Sequence, residues 1–239
     1  MVRGLSSVVL PLWSVVSLLV CRLRSVVFIR YICPMLLLNP PLMSFFQQMI
    51  NLDHQLFKLI NVDGTSSLLD LVLPFLREAQ FWLPFYLFLL VFATLNFGIK
   101  GWWWALAFIL TAAICDLVSS QLIKETIFRL RPCRDPMMAQ EIIIRAKYCP
   151  KSSSFTSSHA TTHFGLSMFI FQTFKRLSKW WMFIFTWAII ISYTQVYVGV
   201  HYPLDVLAGA FVGCLVGIMM AYIFTKQIGL INFAHQQNV

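Results

Sequence analysis

Residues Trp102 to Ile123 read WWWALAFILTAAICDLVSSQLI, 22 residues in which Asp116 is the only charged side chain. The hydrocarbon core of a bilayer takes about 20 apolar residues of α-helix. This stretch therefore has the length of one crossing, and the tryptophans at its start suit the headgroup boundary. Apolar stretches of the same kind run from Phe81 to Phe97, from Phe164 or earlier to Phe174, from Trp180 to Val200 and from Leu204 to Phe224. Trp180, Trp181 and Tyr197 also fall near span ends, where an aromatic belt would lie. The whole chain agrees: its 239 residues are 59% hydrophobic and 11% charged, with a mean hydropathy of +0.76, values a water-soluble domain seldom reaches. The expected fold is an all-α, polytopic membrane bundle of five core transmembrane helices, contained in one domain over residues 43–239.

Ahead of the core helices the pattern changes. Residues 1–42 carry four Arg and no acidic residue, and the apolar run Val8 to Val20 is framed by Arg3, Arg22 and Arg24. Three readings fit: the apolar region of a signal sequence, an uncleaved anchor, or an extension upstream of a chain that starts at Met43. Phe45 to Leu76 mixes Asp53, His54, Lys58 and Asp70 with apolar residues at helical spacing, the pattern of amphipathic helices lying in the membrane interface.

The formal charge is +9, yet the basic residues form no dense tract. That excludes nucleic acid and points to a phosphate-bearing lipid in the bilayer as partner. No pattern in the chain specifies an oligomeric state. Lys100, then Lys175, Arg176 and Lys179, then Lys226 fall on one side of the alternating spans, which makes that side cytoplasmic. The long polar loop from Pro132 to Thr156 then lies on the exterior, which is the periplasm if the setting is a bacterial inner membrane. Seven Lys/Arg lie between Lys124 and Lys151 against three acids, and these cations are assigned to a site. Cys133 and Cys149 both sit in this loop, where oxidation is permitted, so they are expected to pair. Cys21, Cys33, Cys115 and Cys214 lie in or near apolar segments and read as inert thiols.

Three polar clusters meet at the exterior face. Lys124 and Arg131 are seven residues apart, two turns along one face of a helix that extends the Trp102 span until Pro132 ends it. Thr156-Ser157-Ser158-His159 opens the next span, and a helix N-terminus with free N–H groups is an anion site. His201-Tyr202-Pro203-Leu204-Asp205 opens the last, with Pro203 at the first helical position and Asp205 able to reach back to His201.

With these clusters the chain resembles the type 2 phosphatidic acid phosphatases, the PAP2 family, whose pattern is Lys, six residues, Arg-Pro; then Pro-Ser-Gly-His; then Ser-Arg, five residues, His, three residues, Asp. Lys124 to Arg131-Pro132, Ser157-Ser158-His159 and His201 to Asp205 match it in order and spacing. Two positions depart from it. Ser158 stands where Gly is usual, and Thr194-Gln195 stands where Ser-Arg is usual, so a neutral amide replaces a bidentate cation.

The resemblance implies a phosphatase that needs neither metal nor other cofactor and removes phosphate from a lipid phosphate or lipid pyrophosphate. Undecaprenyl pyrophosphate, phosphatidylglycerol phosphate, phosphatidic acid and lipid A carry such groups. It implies His201 as nucleophile, Asp205 as the group that orients it, and His159 as general acid. It places Lys124, Arg131, Ser157, Ser158 and Gln195 around the phosphate oxygens. A rival expectation, prompted by Gln195, is a relative impaired in catalysis that binds or moves a phospholipid. His159 and His163 have the four-residue spacing of metal ligands, but no Cys or carboxylate cluster completes a site, and His163 reads as a packed residue. Asp116, Ser120 and Lys124 recur every four residues, so Asp116 reads as an interior partner for a hydroxyl or for Lys124.

Overall fold

A computed structural model describes residues 40–138 and 140–230, and every regular element among them is helical. The run Val8 to Val20 and its flanking arginines lie outside the described residues. The chain divides into two compact units, residues 1–51 and 52–239. Of the first, the described part is the opening of helix α1 (Pro40–Lys58), where Gln47 Nε2 donates to Asn51 Oδ1 at 3.1 Å.

The second unit contains the end of α1 with its π-helical continuation Leu59–Asp63, then α2 (Ser67–Leu76), α3 (Leu83–Phe97) and α4 (Ile99–Leu117). Helix α4 runs on through a π-helical stretch to Thr126. After the long loop come α5 (Ser158–Phe174), α6 (Ile184–Tyr197) and α7 (Pro203–Gln227). Among the described residues, three helical runs are long and apolar enough to cross a membrane, Ala79–Phe97, Ile99–Thr126 and Pro203–Gln227, and the bent pair Ser44–Asp63 and Ser67–Leu76 makes a fourth if it serves as one span. The all-α membrane bundle is present. Its count of five spans is not fixed by helix length, because α5 has 17 residues and α6 has 14.

The core forms where apolar faces of α3 to α7 meet, around Leu89, Trp104, Phe169, Phe174, Trp187 and Phe224. Trp104 corrects the aromatic-belt reading: Trp102 and Trp103 are exposed, whereas Trp104 is buried, stacks on Phe174 at 4.8 Å and donates its indole N–H to Thr173 Oγ1 at 2.9 Å. Tyr197 is also interior, with its hydroxyl donating to Asp70 Oδ1 at 2.6 Å. An indole or phenol whose polar atom finds a partner inside gains more there than at the headgroups.

Helices α5 and α7 approach through glycine. A Cβ on Gly213 would lie 2.1 Å from the carbonyl oxygen of Thr161, and one on Gly217 would lie 2.3 Å from that of Gly165. This seam, of the small-residue type that lets membrane helices touch backbone to backbone, holds the N-terminus of α7 beside that of α5.

The α1 and α2 segment is helical, as its spacing predicts, but its polar face does not look outward. Asp53, Phe57 and Asn61, one turn apart, are buried, whereas Leu52, Leu56 and Leu59 are exposed. Helices lying in the interface would turn their polar face to water. Here that face packs inward, where Asp53 and Asn61 find partners that lipid would deny them.

Candidate active site

Four helix ends converge: the C-termini of α4 and α6 and the N-termini of α5 and α7. Lys124 lies at the end of α4, and its ammonium donates to Ser158 Oγ at 2.6 Å. Ser158 Oγ also lies 3.1 Å from both Ser119 Oγ and Ser120 Oγ, and Ser120 donates to Asp116 Oδ1 at 2.9 Å. The hydroxyl at the position where glycine is usual is therefore a polar junction between α4 and α5, and Asp116 has the hydroxyl partner expected of it. Ser157 is the N-cap of α5, its Oγ accepting from the Ala160 N–H at 3.4 Å. His159 follows, half-buried. Its carbonyl lies 2.7 Å from His163 Nδ1, and the His163 ring sits edge-on to Trp187 at 4.8 Å, a packed residue as expected.

Arg131 reaches the site by another route than the one expected. The helix carrying Lys124 ends at Thr126, whose hydroxyl turns back to the carbonyls of Leu122 and Ile123, and Ile127 is extended at φ −117 and ψ 110. Lys124 and Arg131 thus do not share a helix face. A two-stranded clasp replaces the missing turns: Arg129 N–H donates to Ser153 Oγ at 3.0 Å, and Ser154 N–H donates to the Arg129 carbonyl at 2.8 Å. From that loop Arg131 donates to the carbonyls of Ser152, Val200 and Ser153 at 3.0, 3.1 and 3.2 Å. Its Nη1 lies 2.9 Å from His201 Nε2.

His201 hangs from a tight reversal after α6, in which the Gln195 carbonyl accepts from the Val200 and His201 N–H groups. Gly199 makes that reversal at φ 86, a left-handed conformation that a side chain would strain. Because a guanidinium only donates, Nε2 is the accepting nitrogen and Nδ1 carries the proton. Nδ1 lies 3.4 Å from Ser154 Oγ and 3.7 Å from Asp205 Oδ2, and Ser154 donates to Asp205 Oδ2. Asp205 also accepts from the Tyr202 N–H at 2.9 Å, which caps α7. Burial pushes the pKa of His201 down to about 4 against the opposing pull of Asp205, so the ring is neutral near neutral pH. Burial likewise lowers that of Arg131, to about 10.

Three residues that the sequence reading did not assign to the site complete this arrangement. Ser154 bridges His201 and Asp205. Arg129 donates to Asp205 Oδ1 at 2.7 Å and to Asp53 Oδ2 at 2.5 Å, and lies over the Tyr202 ring at 4.2 Å. Burial acts against its charge, but Asp205 and Asp53 outweigh burial and raise its pKa. Asp53 further accepts from the Leu204 N–H at 2.8 Å. The interval from Asp53 to Asp205 hides this triad from any local pattern. Gln195 is fully buried, and neither amide atom of its side chain has a hydrogen-bond partner. Cys133 and Cys149 form the expected disulfide, with Cα atoms 6.1 Å apart.

The sequence pattern of the PAP2 superfamily matches residues 100–228. The chain belongs to the PAP2 superfamily. The chain is similar to a lipid A 4'-phosphatase of Bacteroides thetaiotaomicron, 32% identical over 149 residues, 61% of this chain and 65% of that protein. It is also similar to an undecaprenyl-diphosphatase of Sulfolobus acidocaldarius, 28% identical over 181 residues, 74% of this chain and 81% of that protein. The chain thus spans a little under two thirds of the lipid A phosphatase. The crystal structure of a PAP2-type phosphatidylglycerolphosphate phosphatase from Bacillus subtilis shares the fold, with a TM-score of 0.56 at 21% identity, over 75% of this chain and 88% of that one.

Proposed function

We propose that the protein hydrolyses a lipid phosphate or lipid diphosphate through a phosphohistidine on His201, at the extracytoplasmic face of the membrane. The observation that carries this reading is the buried line from Arg131 through His201 and Ser154 to Asp205. It keeps the Nε2 lone pair aimed at a guanidinium, where a phosphate would bring its oxygens. Arg131 then moves from the lone pair to the non-bridging oxygens, joined by Lys124 and the N–H groups at the start of α5. The Nε2 lone pair forms the N–P bond while the P–O bond to the lipid breaks, its electron pair leaving on the lipid oxygen, which takes a proton from His159. The positive charge that develops on the imidazole is met by Ser154 and Asp205. Water then attacks phosphorus as it gives a proton to His159, and the N–P bond breaks with its electron pair returning to Nε2, releasing inorganic phosphate and restoring both rings. The lipid A phosphatase and the undecaprenyl-diphosphatase among its relatives support phosphate on a lipid as the substrate class.

Gln195 favours a second reading, binding of a phospholipid without turnover, since a neutral side chain holds the position where the family pattern has a cation. Phosphate release by the purified protein from a panel of lipid phosphates and diphosphates separates the two. Release that His201→Ala abolishes while the variant keeps its folded elution profile is expected. Binding without release would favour the second reading, and near-normal turnover by His201→Ala would remove the nucleophile assignment.

A further inference from the structure

Asp53 lies on α1, ahead of residues 100–228 that match the PAP2 pattern, yet its carboxylate ends at the candidate site. It is buried to 1% exposure, and its two contacts use one oxygen each. Oδ1 accepts from the Leu204 N–H at 2.8 Å, and Oδ2 accepts from Arg129 Nη2. The other arm of that guanidinium donates to Asp205 Oδ1 at 2.7 Å, and the Tyr202 ring covers one of its faces at 4.2 Å. One planar fork thus joins two buried carboxylates, a geometry that a Lys ammonium does not reproduce. Buried ion pairs are weak evidence for stability, since desolvation offsets much of their attraction, so support of the fold is not by itself a sufficient account of this one.

The two oxygens of Asp205 face different ways. Oδ1 meets Arg129, whereas Oδ2 accepts from Ser154 and from the Tyr202 N–H at 2.9 Å. Oδ2 lies 3.7 Å from His201 Nδ1, beyond hydrogen-bond reach. With the ring neutral, the charge of Asp205 is therefore directed to Arg129 rather than to His201. When His201 attacks phosphorus its ring turns positive and needs that carboxylate. How much of it is available depends on how closely Arg129 holds it, and Asp53 is the anion that competes for the same guanidinium. With Asp53 present the cation is shared between two carboxylates. Without it, the whole cation faces Asp205.

We infer that Asp53 is a positioning residue for the reaction: by sharing Arg129 with Asp205, it leaves the Asp205 carboxylate able to stabilise the imidazolium that forms on His201. This rests on the phosphatase reading above. It makes α1, a helix outside the PAP2 match, a working part of the site. In that reading phosphate is held by Lys124, Arg131 and the start of α5, so Asp53 acts on kcat rather than on KM.

The test measures kcat, KM and Tm in one detergent, on one lipid phosphate that the wild type hydrolyses, for the wild type, Asp53→Asn and the double variant of Asp53→Asn with Arg129→Gln. Asp53→Asn should lower kcat by about tenfold at nearly unchanged KM, the low end of the range for a contact to a charged group. The double variant should recover part of that loss, because no cation then competes with His201 for Asp205. An ion pair that only supports the fold predicts otherwise: Asp53→Asn lowers Tm and leaves kcat alone, and removing Arg129 as well recovers nothing. Either of those results, or a loss confined to KM, would overturn the inference while leaving the phosphatase reading intact. Wild-type protein that released phosphate from no lipid phosphate would bring down that reading, and the inference with it. The pH profile of the double variant keeps the test open even if Asp53→Asn alone failed to fold, since the double variant removes a buried pair together. The charged and titratable groups that face His201 are Arg131 from the loop, Lys124 from α4, His159 from α5 and Asp205 from α7. Without Arg129 the Asp205 carboxylate acts on His201 alone and favours its protonated form, so the acid limb of kcat/KM should move to higher pH than in the wild type. A limb that stayed in place would overturn the inference.

Discussion

At the scale of the residue, Gln195 concentrates the conflict between stability and use. It has 0% exposure and two unpartnered amide atoms, and an unsatisfied buried polar group costs about 1–3 kcal/mol. An amide kept at that cost for a phosphate ligand stabilises nothing until the ligand arrives. Gln195→Leu is therefore expected to raise Tm, and to lower kcat/KM on lipid phosphates by about tenfold, as loss of a hydrogen bond to a charged group would. A higher Tm with unchanged kcat/KM would show that the amide does not reach the substrate. His201 leads to a prediction about pH. Burial sets its pKa at about 4 against a reference value of 6.5. Between those values the unfolded chain binds more protons than the folded one, so stability falls as pH drops through that window. Acidification from about pH 7 to about pH 5 should lower the Tm of the wild type more than that of His201→Asn, measured in one detergent. Equal shifts would move the acid sensitivity to other groups.

At the scale of the element, the glycine seam fixes how far α7, which carries Asp205, stands from α5, which carries Ser158 and His159. Gly213→Ala would place its Cβ against the Thr161 carbonyl oxygen, a backbone atom 2.1 Å away, so the helices must part. Overpacking of this kind costs typically 1–3 kcal/mol. A lower Tm together with a lower kcat is expected, and a variant that kept both would show that the seam tolerates separation. Helix existence was legible in the sequence because apolar periodicity and length act locally, and Pro203, Ser157 and Gly199 mark ends and turns by local geometry. The order of the three motifs, each near a helix end, was legible for the same reason. What the sequence did not disclose depends on contacts between distant segments. The clasp that brings Arg131 in from a loop rests on Ser153 and Ser154. The triad of Asp53, Arg129 and Asp205 joins three elements across 152 positions of chain. The inward face of α1 reads as amphipathic whichever way it points, since periodicity locates a polar stripe without saying what it meets.

At the scale of the whole molecule, the long loop is fastened on several sides, and its fastening is what lets residues from a loop act as parts of a site. Asn61 donates to the carbonyls of Ile143 and Tyr197 at 2.8 and 2.7 Å and accepts from the Ile143 N–H at 2.9 Å. Arg145 donates to the Asn61 carbonyl at 2.8 Å, pairs with Asp70 and lies over the Tyr197 ring at 4.4 Å. Tyr202 ties the near end of the loop through Asp135, at 2.9 Å. The Cys133–Cys149 bridge closes the segment across a separation of 16 residues. A cross-link of that span limits the unfolded chain by about 3 kcal/mol in the chain-entropy model. Because Cys133 is two residues beyond Arg131, the bridge also restrains the guanidinium beside His201. Reduction is therefore expected to lower Tm and, if Arg131 holds phosphate as proposed, to raise KM more than it lowers kcat, since it loosens that guanidinium and leaves the His201 and Asp205 pair in place. With the site on the proposed extracytoplasmic face, mass spectrometry of protein alkylated before extraction should find the two cysteines linked, since that face is not a reducing compartment. Free thiols under those conditions would place the site on the cytoplasmic face.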